Sequence, residues 1–326
     1  MKRIILLNIY LILSIITVSA QDKDGDHFSV EWIKNFSREK DVKTEEGIFS
    51  QFLNLVAGVT EEKLVKPFNL VKYDEDSYFV LDQGRFTPLL VTNDGFEVVQ
   101  NDEYKVFPSL VGVCKFKKNK ILFTDSKLSK IFVYDIEEEE LNTFPLSQKL
   151  EKPTGIVYDK ISGLIYISET ANHRVVVFDD KGNFLRTIGE RGEEEGNFNF
   201  PTFLTLDKNE NLLVVDAMNF RIQVFNKDGN YLRSFGEAGD ATGYFNRPKG
   251  IAVDSYNHIY LVDALFHTVQ IFDSEGNFLY NFGGMGQLNS RFWLPTGIMI
   301  DKDNNIYIAD SYNSRIQVFR LIDDKK

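Results

Sequence analysis

Four histidines, one cysteine and a scatter of acids and lysines carry whatever covalent or metal chemistry this chain can do. A catalytic zinc needs three ligands that converge on one point. His173 and His267 occupy the same position of a repeat set out below, His258 sits in a first-hairpin turn, and His27 lies near the N-terminus. None of the four stands on an inner strand from which ligands could converge, so no metal site is expected. The turn at 301–305 places Asp301, Asp303 and Asn305 at alternate positions. It lacks the glycine and distal glutamate of a calcium loop and reads as a plain hairpin turn. Cys114, in Val113-Cys114-Lys115-Phe116, reads as a buried, unreactive thiol on a strand. Being alone, it can form no intramolecular disulfide. Lys249 with Asp207 and Asp254 is the one thin set available for acid–base work. Neither a glycine-rich phosphate loop nor a serine nucleophile elbow occurs. No catalytic residue and no cofactor are assigned.

Recognition chemistry is better supplied. Phe200, Tyr244 and Trp293 lie just before repeated prolines, and Phe220, Leu265, Phe266, His267 and Tyr312 lie in links between strands. An exposed aromatic cluster beside the acidic run at 193–195 forms a binding surface, because aromatics dominate interface hot spots. The competing reading is that these rings act as lids over junctions between repeats. Phe198, Phe245 and Phe292 share one repeat position and read as packed.

The elements that position these residues follow from the repeat. Pro201 to Pro248 is 47 residues, and Pro248 to Pro295 is 47 again. A fixed period of this length signals a repeat architecture. From Pro295 to Asp310 is 15 residues, an interval that recurs at Pro248–Asp263, Pro201–Asp216 and Pro67–Asp82. It recurs at Leu110–Asp125, and at Pro153–Glu169 with one residue more. That makes six units. Within each, short apolar runs bounded by Asp, Asn and Gly read as antiparallel strands joined by hairpins. A fourth strand follows a Gly-Asn turn, whose glycine accepts a positive φ. Each unit is thus a four-stranded meander of the length of a propeller blade. The last unit stops at Phe319, one strand short, so the missing strand is expected from the N-terminal side. Residues 50–57 are predicted to pair with 315–319 and close the ring. Asp216, Asp263 and Asp310, with Arg174, Arg221 and Arg315 and with Asn172, Asn219 and Asn313, recur unit by unit. Residues repeated in every blade read as cement rather than chemistry.

Residues 1–20 have the form of a secretory signal peptide: Lys2 and Arg3, an apolar run over 4–18, and Val18-Ser19-Ala20 before Gln21. No later stretch approaches the roughly 20 apolar residues of a membrane span. The chain carries a net charge of −11, and removal of Lys2 and Arg3 makes it more acidic still. Phosphate neutralisation needs clustered Lys and Arg, so nucleic acid is not an expected partner. Residues 21–47 are read as a leader outside the repeats, packed on the rim or acting as a plug or interaction segment, and 48–326 as the ring.

Asp216-Ala-Met-Asn219-Phe-Arg221-Ile-Gln-Val-Phe225 and Asp310-Ser-Tyr-Asn313-Ser-Arg315-Ile-Gln-Val-Phe319 resemble the NHL repeat family. The Pro-x-Gly-Ile/Val segments at 153, 248 and 295 fit as well. The resemblance is strong over 153–319 and in register over 48–150. It fails in unit 5, where Leu265-Phe266-His267-Thr268 replaces x-Asn-x-Arg. It implies an all-β, six-bladed propeller of four-stranded antiparallel blades. Propeller lyases similar to this family use inner-face histidines, which this chain lacks. The expectation is an exported (periplasmic or extracellular), monomeric, non-enzymatic scaffold. It binds a protein, peptide or glycan through the face bearing the aromatic links. The alternative is an exported lyase or hydrolase with a site at the central channel mouth.

Overall fold

The computed structural model describes residues 18–21, 27–38, 41–42 and 62–323. Two N-terminal strands, β1 (Val18–Gln21) and β2 (His27–Phe36), precede the ring. Blade 1 comprises β3 (Pro67–Lys72), β4 (Tyr78–Asp82), β5 (Thr87–Thr92) and β6 (Gly95–Val98). Blade 2 comprises β7 (Leu110–Phe116), β8 (Lys120–Asp125), β9 (Lys130–Asp135) and β10 (Glu140–Thr143). Blade 3 is β11 (Pro153–Asp159), β12 (Leu164–Glu169), β13 (Arg174–Asp179) and β14 (Phe184–Ile188). Blade 4 is β15 (Pro201–Leu206), β16 (Leu212–Asp216), β17 (Arg221–Phe225) and β18 (Tyr231–Phe235). Blade 5 is β19 (Pro248–Val253), β20 (Ile259–Asp263), β21 (Thr268–Phe272) and β22 (Phe278–Gly283). Blade 6 runs β23 (Ile298–Ile300), β24 (Asn305–Asp310) and β25 (Arg315–Asp323), then takes β2 and β1 on its outer side. The six-unit, four-strand reading of the sequence holds.

The second strand of each blade is sandwiched between neighbouring blades on both faces. That is why Tyr78-Phe79-Val80-Leu81, Leu212-Leu213-Val214-Val215 and Ile259-Tyr260-Leu261-Val262 are continuous apolar runs and are wholly buried. A strand covered on both faces loses the alternation of a half-exposed one. The outer strands show the opposite: four of the five residues of β14 are exposed or half-exposed. Each apolar cluster spans at least two blades, as where Phe79 of blade 1 packs on Phe123 and Tyr134 of blade 2.

The ring is closed by an N-terminal strand, but not the expected one. β2 pairs antiparallel with β25, with Trp32 opposite Phe319 and Phe36 opposite Ile316. The predicted closing segment, 50–57, lies outside the described residues. The physical reason is complementarity to the open face of β25. Phe28, Val30 and Phe36 are buried against that face, and Trp32 Nε1 donates to Gln317 Oε1 at 3.1 Å. So 27–36 is part of the sheet rather than a leader on the rim. The expected cleavage after Ala20 falls within β1, which pairs only with β2.

The inner strands β3, β7, β11, β15, β19 and β23 surround a cavity of about 300 Å³. The third residue counted from each repeat anchor is glycine in four of six blades because neighbouring backbones approach there. A Cβ at Gly112 would lie 2.2 Å from the Thr154 carbonyl oxygen, and one at Gly155 would lie 2.3 Å from that of Thr202. Blades 1 and 4 carry Asn69 and Phe203 instead.

Candidate functional site

The links from strand four to strand one and the loops from strand two to strand three emerge on one face of the ring, here termed the loop face. Its scaffold begins with an acid closing every second strand: Asp82, Asp125, Glu169, Asp216, Asp263 and Asp310, all 0–1% exposed. Each accepts a backbone N–H from the link that enters its blade, for example Asn199 N to Asp216 at 2.7 Å and Trp293 N to Asp310 at 2.8 Å. In blade 4, Asn219, Arg221 and Gln223 also donate to Asp216, at 2.8, 2.9 and 3.0 Å. Arg221 Nη2 then reaches the carbonyls of Glu194 and Asn197 in the incoming link. Arg315 repeats this arrangement on Leu288 and Arg291. Blade 5 has Thr268 in the arginine position. Its Asp263 is satisfied by the backbone N–H groups of Asn246, Arg247, Leu265 and Phe266, and Gln270 holds the link through Gly243 and Tyr244.

The two repeat-related histidines are structural brackets. Each sits at the left-handed residue that ends the strand-two-to-three loop, a position filled by Phe86, Ser129, His173, Phe220, His267 and Ser314 with φ of 54–59°. His173 Nδ1 accepts the Phe200 N–H at 3.1 Å, and His267 Nδ1 accepts the Leu294 N–H at 3.0 Å. Burial lowers the pKa of His267 below its ordinary 6.5, against the opposing pull of Asp310 and Asp263. A histidine whose folded pKa lies below its unfolded one contributes stability above about pH 6.5 and loses it as pH falls through the folded value. His267→Asn, which tolerates the same backbone region, is therefore expected to flatten the acid-side loss of stability seen in urea unfolding. An identical slope in both proteins would contradict this bracket role.

His258 lies at the opposite face, bonded to Asp254 at 2.9 Å and edge-on to Phe28. Among the described residues no three His, Cys, Asp or Glu side chains are placed to hold a metal ion. The acid–base set does not assemble either. Lys249 is at the loop-face end of β19, whereas Asp254 follows its other end. Asp207 is tied into its own turn by Asn209 and Asn211. Asp301 likewise spends its oxygens on Asp303, Asn305, Tyr307 and Lys72, as a hairpin turn does. Cys114 is in the channel wall, and burial pushes its thiol up to about 12.

The aromatic residues fall into two groups. Trp293 and Tyr312 meet across a link and a loop with ring centroids 6.0 Å apart, and Lys66 Nζ lies 5.0 Å over the Tyr312 ring. Trp293 is 38% exposed, Tyr312 50% and Leu265 46%, and His267 brackets the adjoining Leu294. The second group is Phe200, 43% exposed and packed on the His173 ring at 4.3 Å. Phe220, Tyr244 and Phe266 are half-buried, and Phe220 packs into the apolar cluster between blades 4 and 5. Of the eight candidate residues, Trp293, Tyr312, Leu265 and Phe200 are thus exposed, and Phe220, Tyr244, Phe266 and His267 are half-buried. Sequence reasoning missed Phe86, Met218, Met285 and Leu288, all exposed on links or loops of the same face. Phe86 was findable, since it occupies the repeat position of Phe220. Met285 and Leu288 carry no repeat signal.

The geometry defines a class: a six-bladed β-propeller with NHL repeats whose signature residues are structural. An NHL repeat model matches residues 292–319, and a 6-bladed beta-propeller model matches 150–222 and 206–269. NHL repeat-containing protein 2 of Homo sapiens is 31% identical over 79 residues, 22% of this chain and 11% of that protein. The match to this relative thus spans about a tenth of its length. Virginiamycin B lyase from Staphylococcus aureus superposes with a TM-score of 0.58 at 16% identity, covering 79% of this chain and 96% of the lyase. A gluconolactonase from Xanthomonas campestris superposes with a TM-score of 0.62 at 14% identity, covering 89% and 98%. These two likenesses show the fold alone.

Proposed function

We propose that the chain is an exported, non-enzymatic binding propeller that engages a protein, peptide or glycan through its loop face. The observation that carries this reading is the contrast on that face. Its repeated Asp, Asn, Arg and His side chains are spent on one another and on backbone groups, while Trp293, Tyr312, Phe200, Leu265 and Met218 stay exposed beside them. A face whose repeated polar side chains are engaged internally while aromatic and aliphatic groups stay in water suits association. Export rests on the signal-like residues 1–20. The one acid–base set weighed for an enzyme site at the channel mouth does not converge among the described residues, because Lys249 and Asp254 lie toward opposite ends of the same strand.

The test is capture from the native envelope with wild type and with the variant Leu265→Ser/Trp293→Ala/Tyr312→Ala. All three residues are surface-exposed, so the fold is expected to survive, checked by an unchanged melting curve. Loss of captured partners supports the assignment. An unchanged set of partners would place recognition elsewhere.

A further inference from the structure

The second residue from each repeat anchor lies at the loop-face mouth of the channel: Phe68, Val111, Thr154, Thr202, Lys249 and Thr296. Where this residue is threonine it normally has partners. Thr154 Oγ1 bonds Thr170 Oγ1 at 2.6 Å, and Thr296 Oγ1 bonds the Phe68 carbonyl and Ser311 Oγ, each at 2.7 Å. Those partners sit directly after the buried acid, where blades 3 and 6 carry Thr170 and Ser311. Blades 4 and 5 carry Ala217 and Ala264 there. Consequently the Thr202 hydroxyl is buried without a hydrogen bond. The next blade's Lys249 has no hydrogen-bond or ion-pair partner among the described residues. Lys249 is half-buried, and an ammonium partly withdrawn from water gains from a counter-charge or a hydrogen-bond acceptor. Burial together with the nearby charge of Arg247 lowers this amine to about 8. In a chain of net charge −11, an uncompensated pair of cations at one mouth is an exception.

Apolar groups adjoin this mouth. Phe203 replaces the usual glycine of the inner strand, and its ring stacks on Phe68 with centroids 6.0 Å apart. Ala217 and Phe220 pack against the same cluster. The channel mouth thus carries Lys249 of blade 5 and the unpartnered Thr202 hydroxyl of blade 4, with the stacked rings of Phe203 (blade 4) and Phe68 (blade 1) alongside.

We propose that this mouth is a subsite for a carboxylate carried on an apolar or aromatic body. Lys249 and Arg247 meet the carboxylate, Thr202 donates its hydroxyl, and Phe68 and Phe203 hold the apolar part. The subsite rests on the loop-face reading and gives it a ligand chemistry.

The test is titration of the full chain with N-acetyl-phenylalanine and with its neutral amide, followed by NMR shift changes or calorimetry. The carboxylate is expected to bind roughly tenfold or more tightly than the amide, as a charge-assisted contact requires. Lys249→Met, which keeps the stem and removes the charge, is expected to abolish that preference while leaving the melting curve intact. Shifts in ¹³C-methylated Lys249 on adding the carboxylate would locate the contact independently. Failure of wild type to bind the carboxylate, equal binding of the two probes, or a preference unchanged in Lys249→Met each overturns the proposal. If Lys249→Met is silent while the Leu265/Trp293/Tyr312 variant loses its partners, the loop-face reading stands and the subsite falls.

Discussion

Asp216→Ala is expected to destabilise the propeller by about 3–5 kcal/mol, the scale for orphaning one partner of a buried ion pair. Asp216 is 0% exposed and the Arg221 side chain 14%. The carboxylate is shared by Asn199 N, Asn219, Arg221 and Gln223. Removing it leaves a guanidinium largely shut off from water and frees the link that Arg221 clamps through Glu194 and Asn197. The double variant Asp216→Ala/Arg221→Leu is expected to recover part of the loss, because the orphaned charge is gone. Urea unfolding of both variants reads this out. A loss below about 1 kcal/mol, typical of an exposed pair, would contradict the buried-clamp account.

Deletion of residues 1–36 is expected to abolish cooperative folding. That deletion strips β25 of its partner and opens an edge that invites association. It also withdraws Phe28, Val30 and Phe36, which are 3%, 3% and 1% exposed. Fully burying side chains of this kind is worth about 1.5–3 kcal/mol each, so their sum rivals the ~5–15 kcal/mol of net stability of a typical domain. Phe36→Ala alone should cost about 3–5 kcal/mol. Deletion of residues 1–26 keeps β2 and should melt close to the full chain. Circular dichroism melts and size-exclusion chromatography distinguish the two truncations. A folded monomer without β2 would show that another segment closes the ring.

The blade count was legible because its cause is local. The acid at the end of strand two must meet the N–H groups of the incoming link, so the Pro-to-Asp interval survives even where blades 1 and 2 lose other signals. The closing strand was not legible for the opposite reason. Residues 50–57 look like the strand that precedes each anchor. In β2, however, the two-residue alternation Phe28, Val30, Trp32 breaks at an irregularity between Trp32 and Lys34 before Phe36 returns to the core. Only the shape of the open β25 face selects it. The roles of His173 and His267 were half legible. Their shared position spoke for structure, but the link amides they accept lie 27 residues away in sequence. At the candidate site, sequence identified Trp293 and Tyr312, but it gave no sign that Ala217 and Ala264 leave Thr202 and Lys249 without partners.

The proposal that the loop face is the binding surface is tested most directly by hydrogen exchange of the propeller with and without its captured partner. Slowed exchange is predicted in the loops and links of that face, at 264–267, 284–294 and 311–314, with the first-hairpin turns at 73–77 and 254–258 unchanged. Protection confined to those turns, or to the outer strands, would contradict it.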